Sequence, residues 1–173
     1  MSTIDEAVRA NENYSRNFKL GHLAMPPARK VAIVACMDAR LTLEPMLGFD
    51  TGDAHIIRNA GGVVTEDVVR SLIISQRLLG TNEVMIVNHT DCGMLTFTDD
   101  ALRSQLVHET GKLAVVPARF YAFTDVEKNV REQIHKLKTH PWTPEQIAVR
   151  GFVYDVKSGR LKEISGLEVR LAA

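Results

Sequence analysis

Two apolar runs restrict this chain more than any other feature. "KVAIVACM", which passes through Cys36, and "EVMIVNH", which ends at His89, are continuously apolar rather than alternating. That is the pattern of parallel strands covered on both faces. Between them, "LTLEPMLG" reads as a short helix limited by Pro45 with Gly48 near its end, and "AHIIRN" as another strand. "TEDVVRSLIISQRLLG" is the clearest helix, with Thr65 near its cap and Gly80 placed to end it. Alternating strands and helices of this kind imply an α/β fold, a central mostly parallel β-sheet flanked by helices.

The rest of the chain extends that pattern. Helices are expected around Asp99 to Thr110 and Thr124 to Leu137, and "AVRGFVYDV" followed across "KSG" by "RLKEI" reads as a strand with a hairpin return. Thr3 and Glu6 have capping-box spacing for a helix at the start, and Pro26 and Pro27 make the stretch after it an extended connector. Residues 1–173 thus read as a single domain with an N-terminal helical arm over 1–27. Val68, Val69, Leu72 and Ile73 are expected in the core, and the charges of "DVEKNVREQIHKLK" on a solvated helix face.

Charge and composition exclude some partners. Lys and Arg together number 21, as do Asp and Glu, so nothing argues for nucleic acid or an anionic membrane surface. No apolar run reaches membrane-spanning length and no cationic segment precedes one at the start, which makes a soluble cytoplasmic protein the expectation. Two cysteines are too few for a disulfide framework, and in a reducing compartment they point to metal or catalysis.

The chemistry-bearing residues gather where the two apolar runs end. His89, Thr90, Asp91 and Cys92 form an H-x-x-C group, and with Cys36 they offer two thiolates and an imidazole. That set equals the three protein ligands of a catalytic zinc, and soft sulfur favours zinc over magnesium or calcium. A buried cysteine is also a common small core residue. Asp38 and Arg40 follow Cys36 at alternate positions. Asp38 can supply a fourth ligand, or pair with Arg40 and stay off the metal. Gly61 and Gly62 read as a tight turn allowing close packing, and no dinucleotide fingerprint surrounds them. The spacing of Cys36 and Arg40 is too short for the phosphate loop of a cysteine phosphatase.

"CMDAR", "RNAGG" and "HTDCGM", in that order, resemble the motifs of the β-class carbonic anhydrases, most closely the short bacterial branch that includes mycobacterial forms. The resemblance implies one zinc per chain held by Cys36, His89 and Cys92, with Asp38 and Arg40 as a catalytic dyad. It implies that Asp38 either coordinates zinc or pairs with Arg40 and leaves the fourth position to water. The implied activity is reversible hydration of carbon dioxide to bicarbonate and a proton, by attack of zinc hydroxide. The implied assembly is a homodimer or larger homo-oligomer, with the 1–27 arm packing on the partner. Arg58 and Asn59 would support the site or interface. A hydrolase of carbonyl sulfide or carbon disulfide with the same zinc, or a structural zinc domain, are the other readings. His22, His55, His108, His135 and His140 are read as surface or structural residues.

Overall fold

The computed structural model describes residues 1–165, so residues 166–173 of the single-domain span lie outside the described ones. Along the chain it contains α1 (Thr3–Arg16), β1 (Val31–Cys36), α2 (Leu43–Leu47), β2 (Ala54–Asn59), α3 (Glu66–Leu79) and β3 (Glu83–His89). These are followed by α4 (Asp99–Thr110), α5 (Val126–Lys138), β4 (Ala148–Tyr154) and β5 (Leu161–Ile164). The strands form one five-stranded sheet in the order β2-β1-β3-β4-β5. The first four are mutually parallel and β5 returns antiparallel to β4, so the expected mixed sheet is observed.

The continuous apolar runs follow from coverage of both faces. On one face Ala32, Val34, Val84 and Ile86 pack with Val68 and Leu72 of α3 and with Val130, Ile134 and Leu137 of α5. On the other, Ile33, Ala35 and Val87 meet Leu43 of α2 with Met46, Leu47 and Phe49. Successive residues of β1 therefore alternate between two cores. Val68, Val69 and Leu72 are buried as expected, with Ile73 partly buried beside them.

Local signals set most boundaries. Thr65 caps α3 through its side chain, and Gly80 ends it in the left-handed conformation. Gly48 closes α2 in the same way. Two boundaries differ from the sequence reading. The box at the start of α1 is formed by Ser2 and Asp5, not Thr3 and Glu6, because Ser2 holds the extended backbone a cap requires and exchanges hydrogen bonds with Asp5. α5 starts at Val126, because Asp125 accepts from the Lys128 amide and serves as its cap.

β1 lies between β2 and β3, so the chain leaves it first to one side and then to the other. The carboxyl ends of β1 and β3 flank this switch point, where loops diverge and side chains can converge on a ligand. α5 seats closely on β4 beside them, because Gly151 offers no side chain at the contact. A Cβ there would stand 2.3 Å from Val130 Cγ1 and 2.6 Å from Ile134 Cδ1. Gly151→Ala is therefore expected to destabilise the fold by about 1–3 kcal/mol, measured as a lower urea midpoint. An unchanged midpoint would contradict so close a helix–sheet contact.

Candidate metal centre

Cys36 is the last residue of β1 and His89 the last of β3, and parallel pairing holds their strand ends side by side. Cys92 returns to them through a sharp reversal, with Asp91 in the left-handed conformation at φ 56°. Asp tolerates that region better than most residues. The ligand atoms of Cys36, His89 and Cys92 all lie within 4.8 Å of one another, and all three residues are buried.

The donor set suits a soft divalent cation. The Sγ atoms of Cys36 and Cys92 are 4.0 Å apart. His89 Nδ1 donates to the Thr90 carbonyl at 2.8 Å, which directs Nε2 toward the two sulfurs. This Nε2 is buried without a hydrogen-bond partner in the structure. A buried polar atom left alone is costly, and a metal ion would satisfy it.

Electrostatics at the sulfurs are asymmetric. A hydrogen bond from Cys92 lowers the Cys36 pKa, and burial opposes the shift, while His89 and the amides of Asp38 and Gly61 strengthen it. The same contact, together with burial, raises the Cys92 pKa. The two sulfurs are thus pushed in opposite directions, Cys36 toward thiolate and Cys92 toward thiol. Burial lowers the His89 pKa, but Cys36, the Thr90 carbonyl and Asp38 outweigh it and raise it overall. Those protons must leave before the three groups ligate together.

Asp38 and Arg40 meet in a fork. Arg40 Nε donates to Asp38 Oδ1 at 3.0 Å and Nη2 to Oδ2 at 2.8 Å, and the Arg40 amide also reaches Oδ1 at 2.9 Å. Side-chain and then backbone hydrogen bonds from Arg40 hold the Asp38 carboxyl far below the usual carboxylate range. Asp38 Oδ2 is 3.7 Å from His89 Nε2, so the carboxylate stands beside the three donors while its charge is engaged by Arg40.

Arg40 has a second acidic partner, which sequence reasoning missed. Its Nη1 donates to Asp91 Oδ2 at 2.8 Å and its Nη2 to the Asp91 carbonyl at 3.0 Å. The guanidinium therefore bridges the loop after β1 to the loop after β3. Asp91 stands 51 residues from Arg40, so only the fold brings them together. Arg58 performs the support expected of it: Nε donates to the Cys36 carbonyl at 3.1 Å and Nη2 to the Asp38 carbonyl at 2.6 Å. Asn59 closes the following turn, accepting from the Val63 amide at 2.9 Å and donating to the Val63 carbonyl at 2.8 Å. His55, one of the other histidines, contacts Ser75 Oγ through Nδ1 at 2.8 Å, a structural contact.

Comparison with known proteins gives a consistent set of likenesses. A family model described as carbonic anhydrase matches residues 31–161. The chain is 47% identical over 165 residues to beta-carbonic anhydrase 1 of Mycobacterium tuberculosis, covering 95% of this chain and 99% of that protein. It is 32% identical to a carbon disulfide hydrolase of Saccharolobus solfataricus, covering 92% of this chain and 88% of that one. The crystal structure of a carbonic anhydrase from Streptococcus mutans superposes with a TM-score of 0.89 at 47% identity, covering 95% and 99% of the two chains.

If the three donors hold a cation together, its binding must release protons. Zn2+ affinity is expected to rise between pH 6 and 8, and calorimetric heats to depend on the ionisation enthalpy of the buffer. Cys92→Ser should lose stoichiometric binding. Affinity independent of pH, or full binding by Cys92→Ser, would place the cation elsewhere.

Proposed function

The chain belongs to the β-class carbonic anhydrase family, and from that premise we propose that it is a zinc enzyme hydrating carbon dioxide reversibly to bicarbonate and a proton. The observation that carries the reading is the buried Cys36, His89 and Cys92 cluster with an unpartnered imidazole nitrogen, beside a carboxylate engaged by arginine. Zn2+ held by those three residues would supply a Lewis acid that acidifies water.

Each neighbouring residue then has a task set by its contacts. Asp38, anionic and fixed in one rotamer by Arg40, accepts a hydrogen bond from the attacking water and turns an oxygen lone pair toward the carbon of the substrate. Arg40 keeps Asp38 from becoming a fourth ligand, and Asp91 keeps Arg40 in place. Leu41, Met94, Phe97 and Phe123 pack around the two cysteines and give a small apolar substrate a dry wall. In this reading the pairing with Arg40 keeps the Asp38 carboxylate available to the water, and a carboxylate released from Arg40 would be free to serve as a fourth donor.

The assembly proposed with it is a homodimer. Among the described residues no side chain of α1 is buried: Ile4, Val8 and Tyr14 lie exposed on it, and Phe18 lies exposed just beyond its end. An arm of this kind finds burial on a second copy. Reduced cysteines fit a cytoplasmic location, and no helix among the described residues is long and apolar enough to cross a membrane.

The likeness to a carbon disulfide hydrolase makes substrate choice part of the test. Zinc-loaded protein is expected to hydrate carbon dioxide in stopped flow, faster toward mildly alkaline pH, and to turn over carbonyl sulfide and carbon disulfide poorly. Asp38 cannot cause that rise: its depressed pKa leaves it ionised throughout the neutral and alkaline range, and it protonates only as pH falls far into acid. Asp38→Asn should lower kcat/KM roughly 100-fold while retaining zinc. A zinc-loaded wild type no faster than buffer at every pH would overturn the assignment, and preference for carbon disulfide would move it to the hydrolase reading.

A further inference from the structure

Behind the three donors runs a buried relay of side-chain amides that begins and ends on the same turn. The Val64 amide donates to Gln133 Oε1 at 2.9 Å, and Gln133 Nε2 donates to Asn129 Oδ1 at 2.8 Å. Asn129 Nδ2 donates to Asn88 Oδ1 at 2.6 Å, and Asn88 Nδ2 to the Gly62 carbonyl at 3.2 Å. One terminus is a backbone N–H and the other a backbone C=O, so the orientation of all three amides is fixed. Asn88, Asn129 and Gln133 are each buried. Asn129 and Gln133 lie one turn apart on α5, and Asn88 immediately precedes His89 on β3.

The captured turn presses on the end of β1. Gly61 and Gly62 have φ of 82° and 60°. A Cβ on Gly62 would lie 2.9 Å from the Cys36 nitrogen, 3.0 Å from the Ala35 carbonyl carbon and 2.8 Å from Asn88 Nδ2. Asn59 takes both backbone groups of Val63, and Lys136 Nζ donates to the Val64 carbonyl. The turn thus has little freedom of its own, and α5 supplies much of what holds it.

We infer that Asn129 and Gln133, acting through Asn88, are positioning residues for the metal centre: they lock the Gly61–Gly62 turn against Cys36 and thereby set the affinity of the cluster for its cation. The inference rests on the metal-centre reading above and adds residues from a helix that contributes no donor. Outer partners of metal ligands commonly change affinity by roughly 10–100-fold, because a donor set that must be reorganised binds more weakly.

The test measures Zn2+ affinity by chelator competition, together with the absorption spectrum of the Co2+-loaded protein, on full-length wild type and three variants. Asn129→Leu, close in shape but unable to relay, is expected to weaken Zn2+ binding at least about tenfold and to shift the cobalt bands. Gln133→Met should do the same in a variant that leaves the Asn129–Asn88 bond intact, and it carries the test if Asn129→Leu does not fold. Ile134→Val, a core change on the same helix, should keep both readouts at wild-type values. Wild-type affinity and spectrum in the relay variants would overturn the inference, as would an equal loss in Ile134→Val. A wild type that binds no Zn2+ would overturn the metal-centre reading itself, which separates the two failures.

Discussion

Parallel pairing of β1 with β3 is the constraint on which the site depends. Register along the pair runs from Val31 opposite Glu83 to Ala35 opposite Val87, which leaves Cys36 and His89 together at one end. A one-residue slip would send each strand's buried side chains to the wrong face. The two apolar cores that cover the sheet therefore also fix the distance between a thiol and an imidazole far apart in sequence. Packing is the source of the site's precision, and the loops add Cys92 and Asp38 to a frame already set.

Charge is arranged around that frame in two layers. In front, Arg40 connects Asp38 to Asp91 and spends four of its five N–H donors doing so. An exposed ion pair contributes little by itself, but a forked guanidinium shared by two loops has geometry that a lone pair lacks. Behind, the supports are mostly neutral: apart from Arg58 and Lys136, they are amides and backbone groups. The extended stretch after α4 is fastened by the same economy of means. Asp99 accepts from the amides of Phe120, Tyr121 and Ala122, and Arg103 donates to the carbonyls of Pro117 and Ala118. Phe123, just beyond, is thereby delivered to the apolar wall beside Cys36 and Cys92.

Strands and caps were legible in the sequence because their causes are local. A strand covered twice writes a continuous apolar run, and Thr65 and Gly80 bracket α3 with signals that need no tertiary context. The three donors were legible for a different reason, as rare residue types at the ends of such runs. Asp91 was not, since its partner arrives from another loop and an acid between two ligands carries no mark of its own. Asn129 and Gln133 were hidden among the charges of α5. The expected solvated face exists, with Lys128 and Glu132 on it, but these two amides occupy the opposite side with Val130 and Ile134. The Ser2 cap shows how a one-residue offset escapes spacing rules when two neighbouring residues both satisfy them.

The make-up of the relay has a consequence for how the molecule meets acid and alkali. Carboxamides neither gain nor lose protons in the range where proteins stay folded, so the links from Val64 to Gly62 are the same bonds in mildly acidic and mildly alkaline solution. Had carboxylates stood at Asn88 or Asn129, the backing of the site would have carried its own titration curve, superimposed on that of the donors it supports. Here the relay itself is silent to pH, and titration is left to the groups it backs. A titration of the site therefore reports chemistry at the sulfurs and imidazole without a contribution from this part of the frame.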